Sequence, residues 1–208
     1  MHSKSFHLLP IVLLFCLAFS GCSLVQTIYP IRTSDKTMRD PGIEGVWNSL
    51  PDRPSFSYES RDDATLTIKR VGGKRYHVEF QREDGRLTYS GHGYLVVLGD
   101  RQFLEFELES KEKRYEEIVN PVTRIDNSVK PYFFARVHRE EGHMRIGFPR
   151  VEEFKKAAET SDDLVGFERG RSFIITSTTE QLQRFLASTD DTMYESSELY
   201  VRAKLGMP

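Results

Sequence analysis

Residues 104–109 read Leu-Glu-Phe-Glu-Leu-Glu, in which apolar and acidic side chains alternate without a break. Successive side chains of a β-strand point to opposite faces, so this stretch predicts a strand with one buried and one solvated face. The predicted inward-facing residues are Leu104, Phe106 and Leu108. The predicted outer stripe, neutralised by basic residues on neighbouring strands, comprises Glu105, Glu107 and Glu109.

The same alternation recurs on both sides of this stretch, at residues 64–69, 76–81, 133–137 and 144–148. Glycine-containing pairs that suit tight hairpins separate such runs, at residues 72–73, 84–85, 99–100 and 141–142. Gly170 predicts one further hairpin, between residues 165–168 and 173–176. Successive hairpins form an up-and-down antiparallel meander, which tends to close because closure removes exposed edges. The predicted fold is therefore mainly β, with a closed barrel.

Two short helices are predicted in the C-terminal third of the chain. Residues 151–159 have amphipathic spacing, and Ser-Thr-Thr-Glu at residues 177–180 has the pattern of a capping box. The apolar residues after that box are Leu182, Phe185 and Leu186. We expect this second helix to flank or plug the barrel rather than to carry chemistry, and residues 43–208 to form a single domain.

The first 21 residues have the organisation of a secretion signal. Lys4 precedes an apolar run at residues 8–19 that is too short to span a bilayer and suits a signal peptide. The run leads into Ser20-Gly21-Cys22, which resembles the bacterial lipobox, where the cysteine sulfur receives diacylglycerol before cleavage. The resemblance implies removal of residues 1–21 and a Cys22 that is anchored to a membrane by its acyl chains. The alternative is an ordinary secretory signal.

The resemblance also implies a location in the bacterial cell envelope, and Ser23 after the cysteine implies the outer membrane. Residues 22–42 contain Pro30, Pro41 and charges of both signs without sustained periodicity, which predicts a flexible tether. About twenty such residues have an r.m.s. span of roughly 25 Å, enough to hold a domain clear of the lipid headgroups.

Composition and motifs exclude several classes of function. A net charge of −2 over 208 residues leaves no basic surface typical of a nucleic-acid partner. Residues 71–75 lack the spacing of a phosphate-binding loop, and Ser90 lacks the glycine pattern of a nucleophile elbow. His138 and His143 have no third ligand to complete a zinc site. We therefore predict no catalytic residues, no cofactor and no metal site, and expect that the chain is not an enzyme.

Gly45-Val46-Trp47 stands at the start of the first predicted barrel strand. It resembles the Gly-X-Trp signature of lipocalins and related calycin barrels, with the resemblance covering residues 45–148. The resemblance implies that Trp47 packs across a closed barrel end and that a small hydrophobic ligand lies inside; a plain core tryptophan is the alternative.

Two functions follow from these features. In the first, a membrane-anchored barrel binds a lipid or another hydrophobic small molecule, with Tyr76 supplying a hydroxyl group that orients the ligand. The predicted ligand-lining residues are Trp47, Leu66, Ile68, Tyr76, Val78, Phe80, Leu104, Phe106 and Leu108. In the second, the barrel is filled by its own side chains, and the lipoprotein is structural or binds an envelope protein.

Overall fold

Strands account for most of the secondary structure in the computed structural model, which describes residues 24–50, 64–82, 87–108, 131–194 and 198–203. The strands of these residues are β1 (Val25–Thr27), β2 (Thr37–Met38), β3 (Gly45–Leu50), β4 (Ala64–Gly72), β5 (Arg75–Arg82), β6 (Leu87–Leu98), β7 (Arg101–Leu108), β8 (Phe133–Glu140), β9 (His143–Gly147), β10 (Gly166–Arg169), β11 (Ser172–Ile175) and β12 (Glu198–Arg202). The α-helices are α1 (Val151–Ala158) and α2 (Thr179–Ser188). Short 3-10 helices lie at Pro41–Ile43 and Asp191–Met193.

Eight of these strands form one closed antiparallel barrel. Strands β3 to β9 follow one another around the barrel, each paired with the next, and β12 returns to pair with both β9 and β3. Gly99 and Gly142 occupy hairpin turns with φ of 64° and 73°, a conformation that glycine adopts without steric strain. The predicted mainly β fold, a meander closing into a lipocalin-like barrel with two short C-terminal helices, is confirmed.

Strand register places the alternating apolar residues on the inner surface of the barrel. Leu66 on β4 lies opposite Trp47 on β3 and opposite Phe80 on β5, and Ile68 lies opposite Val78. These side chains belong to one continuous cluster inside the barrel. The pattern of burial therefore follows the period-two pattern of the sequence.

A second layer covers the outer surface of part of the barrel. A three-stranded sheet, in the order β1–β11–β10, and both α-helices pack against outward-facing residues of β6, β7 and β8. The barrel residues in this second core include Val96, Phe103 and Phe134. Antiparallel pairing of β10 with β11 confirms the hairpin predicted at Gly170.

Helix α2 begins one residue later than predicted. Its N-cap is Thr178, and the capping box is completed by Gln181 rather than by Glu180. Ser177 is buried, and its hydroxyl oxygen accepts a hydrogen bond from the backbone N–H of Val165 at 2.7 Å. Because this contact ties Ser177 to Val165, the residue before β10, the next residue takes the N-cap position.

The predicted flexible tether at residues 22–42 is wrong for residues 24–42. Strand β1 pairs in parallel with β11, β2 pairs with β6, and the 3-10 helix at Pro41–Ile43 covers one end of the barrel. Val25 and Ile31 are buried in the second core. These elements are too short to produce periodicity in the sequence, and long-range pairing rather than local propensity orders them.

The predicted solvated acidic stripe is wrong at Glu105. The second layer covers this part of β7, so Glu105 is 0 % exposed and Glu107 is half-buried. Both carboxylates contact Arg32 of the N-terminal segment. Glu109 lies outside the described residues.

No helix within the described ranges is long and apolar enough to cross a membrane.

Candidate functional site

The barrel interior is the candidate site, because it gathers most of the residues that the sequence predicted to line a ligand. The predicted residues found in the interior cluster or packed directly against it are Trp47, Leu66, Ile68, Tyr76, Val78, Phe80, Leu104 and Phe106. Leu108 pairs with Gly91 along β7, and its side chain lies outside the described residues, as does Cys22. The interior also contains residues that the prediction missed, including Leu95, Met144 and Tyr200.

One end of the barrel is sealed, and Trp47 is at the centre of the seal. The indole Nε1 of Trp47 donates to the backbone oxygen of Ile43 at 2.9 Å, which fixes the 3-10 helix over the barrel. The guanidinium of Arg202 lies 4.9 Å from the centre of the Trp47 ring and donates to the carbonyl oxygens of Gly42 and Glu44. Cation–π and hydrogen-bond contacts together hold this sealed end shut.

Tyr76 contributes to the same seal. Its hydroxyl oxygen accepts a hydrogen bond from the backbone N–H of Asp40 at 2.9 Å, and the hydroxyl lies 3.3 Å from the Asp40 carbonyl oxygen. Burial raises the pKa of the Tyr76 phenol, so the group stays protonated and able to donate. The hydroxyl that was expected to orient a ligand is therefore engaged by the protein backbone.

The middle of the barrel is closely packed. A Cβ atom placed on Gly93 would lie 2.6 Å from a methyl carbon of Val78 and 3.3 Å from one of Leu104. Leu66, Ile68 and Leu104 are each 0 % exposed. An additional carbon at this level would therefore require Val78 to shift.

The end opposite the seal, here called the phenylalanine end, is lined by Phe80, Phe106, Phe133 and Phe148. Phe80 is on β5 and Phe148 directly follows β9, and these two strands lie on opposite sides of the eight-stranded barrel. Their ring centres are only 6.2 Å apart. Phe106 contacts Phe80 at 6.3 Å and stacks on Phe133 at 5.7 Å. Side chains from facing walls therefore meet across the interior.

A polar cluster on the outer wall, which the sequence analysis did not predict, holds the N-terminal segment. The carboxylate of Glu105 accepts hydrogen bonds from the backbone N–H of Ile31, from that of Arg32 at 3.1 Å, and from the Arg32 guanidinium. Arg32 also donates to Glu107 at 2.5 Å and lies 4.3 Å from the ring centre of Tyr94.

Burial is the largest influence on the pKa of Glu105 and raises it, while attraction to Arg32 offsets only part of that rise. The same attraction raises the pKa of Arg32 in spite of its own desolvation. These contacts hold the N-terminal segment against β7, and both carboxylates are engaged with Arg32. We therefore assign this polar cluster a structural role, which is to attach the N-terminal segment to the barrel.

A surface cavity of about 340 Å³ lies outside the sealed end, bordered by Trp47, Arg139, Arg202 and the β8–β9 turn. Arg139 is paired with Asp40 at 2.9 Å, and Arg202 is held by backbone carbonyls. Glu140 and Glu141 border the same cavity. Charges of both signs therefore surround the cavity, and both of these arginines are engaged by the protein itself.

The histidines of the β8–β9 hairpin are exposed and have local contacts. His138 lies 3.4 Å from Glu140, and His143 lies 3.0 Å from the backbone oxygen of Glu141. In the described part of the chain, no group of three or more His, Cys, Asp or Glu side chains is arranged to hold a metal ion.

The chain matches no protein-family model, no curated protein and no solved structure.

Proposed function

We propose that this chain is a lipid-anchored protein of the bacterial cell envelope whose filled barrel is a rigid scaffold for binding a protein partner. The observation that carries the proposal is the contact between Phe80 and Phe148 from opposite walls, at 6.2 Å. An eight-stranded barrel is close to the size at which side chains alone can fill the interior. Because the rings of Phe80 and Phe148 meet across the interior, they leave no separate space for a ligand at their level of the barrel.

Two further features support a filled interior. The crowding of Val78 and Leu104 around Gly93 extends the packing to the middle of the barrel. The engagement of the Tyr76 hydroxyl by Asp40 removes the polar group with which a ligand headgroup would be oriented. Small-molecule sites usually combine an apolar pocket with a few polar anchors. The packed interior and the engaged Tyr76 hydroxyl therefore favour a structural role for the barrel.

A second candidate function is binding of a small apolar ligand at the phenylalanine end. It is favoured by the half-burial of Phe80 and Phe148, whose rings pack against the interior cluster without being fully enclosed. In this alternative the two rings would rotate apart, and an acyl chain would take the place of their mutual contact. The contact is worth about 1 kcal/mol, which a bound chain of several methylenes can exceed.

Val78→Trp distinguishes the two functions, with Val46→Trp as the matched control because Val46 is 36 % exposed on the outer face. In a filled barrel, Val78→Trp lowers the unfolding free energy by about 1–3 kcal/mol or more through overpacking. The parent protein then binds no fluorescent fatty acid. Stoichiometric fatty-acid binding by the parent, lost in Val78→Trp at unchanged stability, would instead favour ligand binding.

The anchor is tested separately with Cys22→Ser. If Cys22 carries the lipid, this substitution leaves a heavier, unlipidated precursor that can be followed by mass spectrometry. Normal cleavage and membrane association of the Cys22→Ser chain would refute lipidation at this residue. The anchor is proposed from the resemblance of Ser20-Gly21-Cys22 to a lipobox.

A further inference from the structure

The folded domain begins almost immediately after the proposed lipid anchor. Leu24 accepts a backbone hydrogen bond from Phe173 at 2.9 Å and packs against the interior cluster, and Val25 starts β1. Only Ser23 separates Leu24 from Cys22. Two residues span at most about 7 Å even when fully extended, so the Cys22 backbone lies within that distance of Leu24, the residue before β1.

This short connection restricts how the domain can sit on a membrane. Acyl chains on Cys22 would lie in the bilayer, with the cysteine backbone at the level of the headgroups. Strand β11 pairs with β1 in parallel, so the β10–β11 turn lies beside the start of β1. Neighbouring strands are about 4.8 Å apart, which brings the turn within reach of the same headgroups.

The β10–β11 hairpin has side chains that suit this position. Phe167 is 42 % exposed on the outermost strand of the three-stranded sheet. Arg169 and Arg171 flank Gly170 at the tip, while the single acidic residue, Glu168, is paired with Lys155 at 2.7 Å. Aromatic side chains favour the boundary between headgroups and acyl chains, and arginines are attracted to anionic lipids.

We infer that the surface formed by the start of β1 and the β10–β11 hairpin lies directly on the lipid headgroups of the membrane. This inference rests on the proposed lipid anchor at Cys22. A control position is available across the barrel from this surface, because β1 packs beside β8, and β4 is the barrel strand opposite β8. The outer face of β4, together with exposed Val46 and Leu50 on neighbouring β3, then lies on the side of the barrel opposite β8.

The test uses the full-length lipidated protein, reconstituted in vesicles of phosphatidylethanolamine and phosphatidylglycerol. Arg169→Cys places a fluorescent label at the hairpin, and Phe167→Cys is a second site if the first variant folds poorly. Lys69→Cys, exposed on β4, is the matched control. We expect headgroup-spin-labelled lipid to quench position 169 at least about twofold more strongly than position 69, because only the hairpin lies within reach of the headgroups.

A variant with a longer linker tests whether the short connection to Cys22 holds the hairpin close to the membrane, independently of the lipid anchor itself. Inserting about twenty Gly/Ser residues between Ser23 and Leu24 adds an r.m.s. span of roughly 25 Å and should reduce quenching at position 169 to the level at position 69. Equal quenching at both positions without the linker, in protein that floats with the vesicles, would overturn the inference and leave the anchor intact. Failure of the parent protein to float, with no acyl mass on Cys22, would instead overturn the proposed function.

Discussion

Glu105→Ala tests how the N-terminal segment is attached to the barrel. The substitution removes a carboxylate that is 0 % exposed and that accepts hydrogen bonds from two backbone N–H groups and from Arg32. Breaking a buried ion pair by removing one partner typically costs about 3–5 kcal/mol. Arg32 keeps Glu107 as a partner and is 21 % exposed, so we expect a loss near the lower limit, about 3 kcal/mol.

Urea unfolding measures this loss, with the fluorescence of Trp47, the single tryptophan of the chain, reporting on the barrel. Glu107→Ala is the matched control on the same strand. Its carboxylate is 26 % exposed, and we expect a loss of less than about 1 kcal/mol. If Glu105→Ala and Glu107→Ala lose similar small amounts, the reasoning about this polar cluster is refuted.

The same residue predicts a dependence of stability on pH. Burial raises the pKa of Glu105 above its ordinary value of 4.5, so the folded state binds the proton more tightly than the unfolded state does. The stability that comes from this tighter proton binding is fully present below pH 4.5. It is lost as the pH rises through the raised pKa of Glu105. The difference in stability between the parent protein and Glu105→Gln should therefore fall with rising pH in that range. A difference that is constant with pH would contradict the raised pKa.

Three other substitutions probe the packing, the second layer and the seal. Gly93→Ala should lower the unfolding free energy by about 1–3 kcal/mol in urea, because its Cβ would overlap Val78; a neutral result would indicate free space inside the barrel. Thr178→Ala should cost about 1 kcal/mol by removing the cap of α2, and Thr178→Ser should restore most of it; equal losses would exclude capping as the cause. Arg202→Ala should shift the Trp47 emission to longer wavelength by opening the sealed end; an unchanged spectrum would mean that the indole is protected without it.

Alternation in the sequence predicts the barrel strands because one face of each is buried and the other faces water. Leu66, Ile68 and Val78 are inward in the structure for this reason. Alternation does not predict β1 and β2, which have only three and two residues and depend on pairing with distant strands. A stretch that looks like a linker can therefore be ordered entirely by contacts that the local sequence does not reveal.

The packing of the interior was likewise beyond prediction from one sequence. Alternation indicates which residues point inward, but the volume left between them depends on register and on the closure of the barrel. Phe80 and Phe148 are 68 positions apart in the sequence, and only the circular strand order brings their rings together. The choice between a hollow and a filled barrel is thus a property of the whole fold.

The burial of Glu105 can be related to a pattern in the neighbouring strands. Strands exposed on one face alternate, whereas consecutive apolar residues indicate burial on both faces. The runs at residues 95–98 on β6 and 133–135 on β8 are apolar without a break, and these strands flank β7 on either side. A layer that covers both neighbours must also cover the strand between them. The alternating acids of β7 then lie beneath that layer, and a buried carboxylate at Glu105 requires a cationic partner, which the N-terminal segment supplies through Arg32.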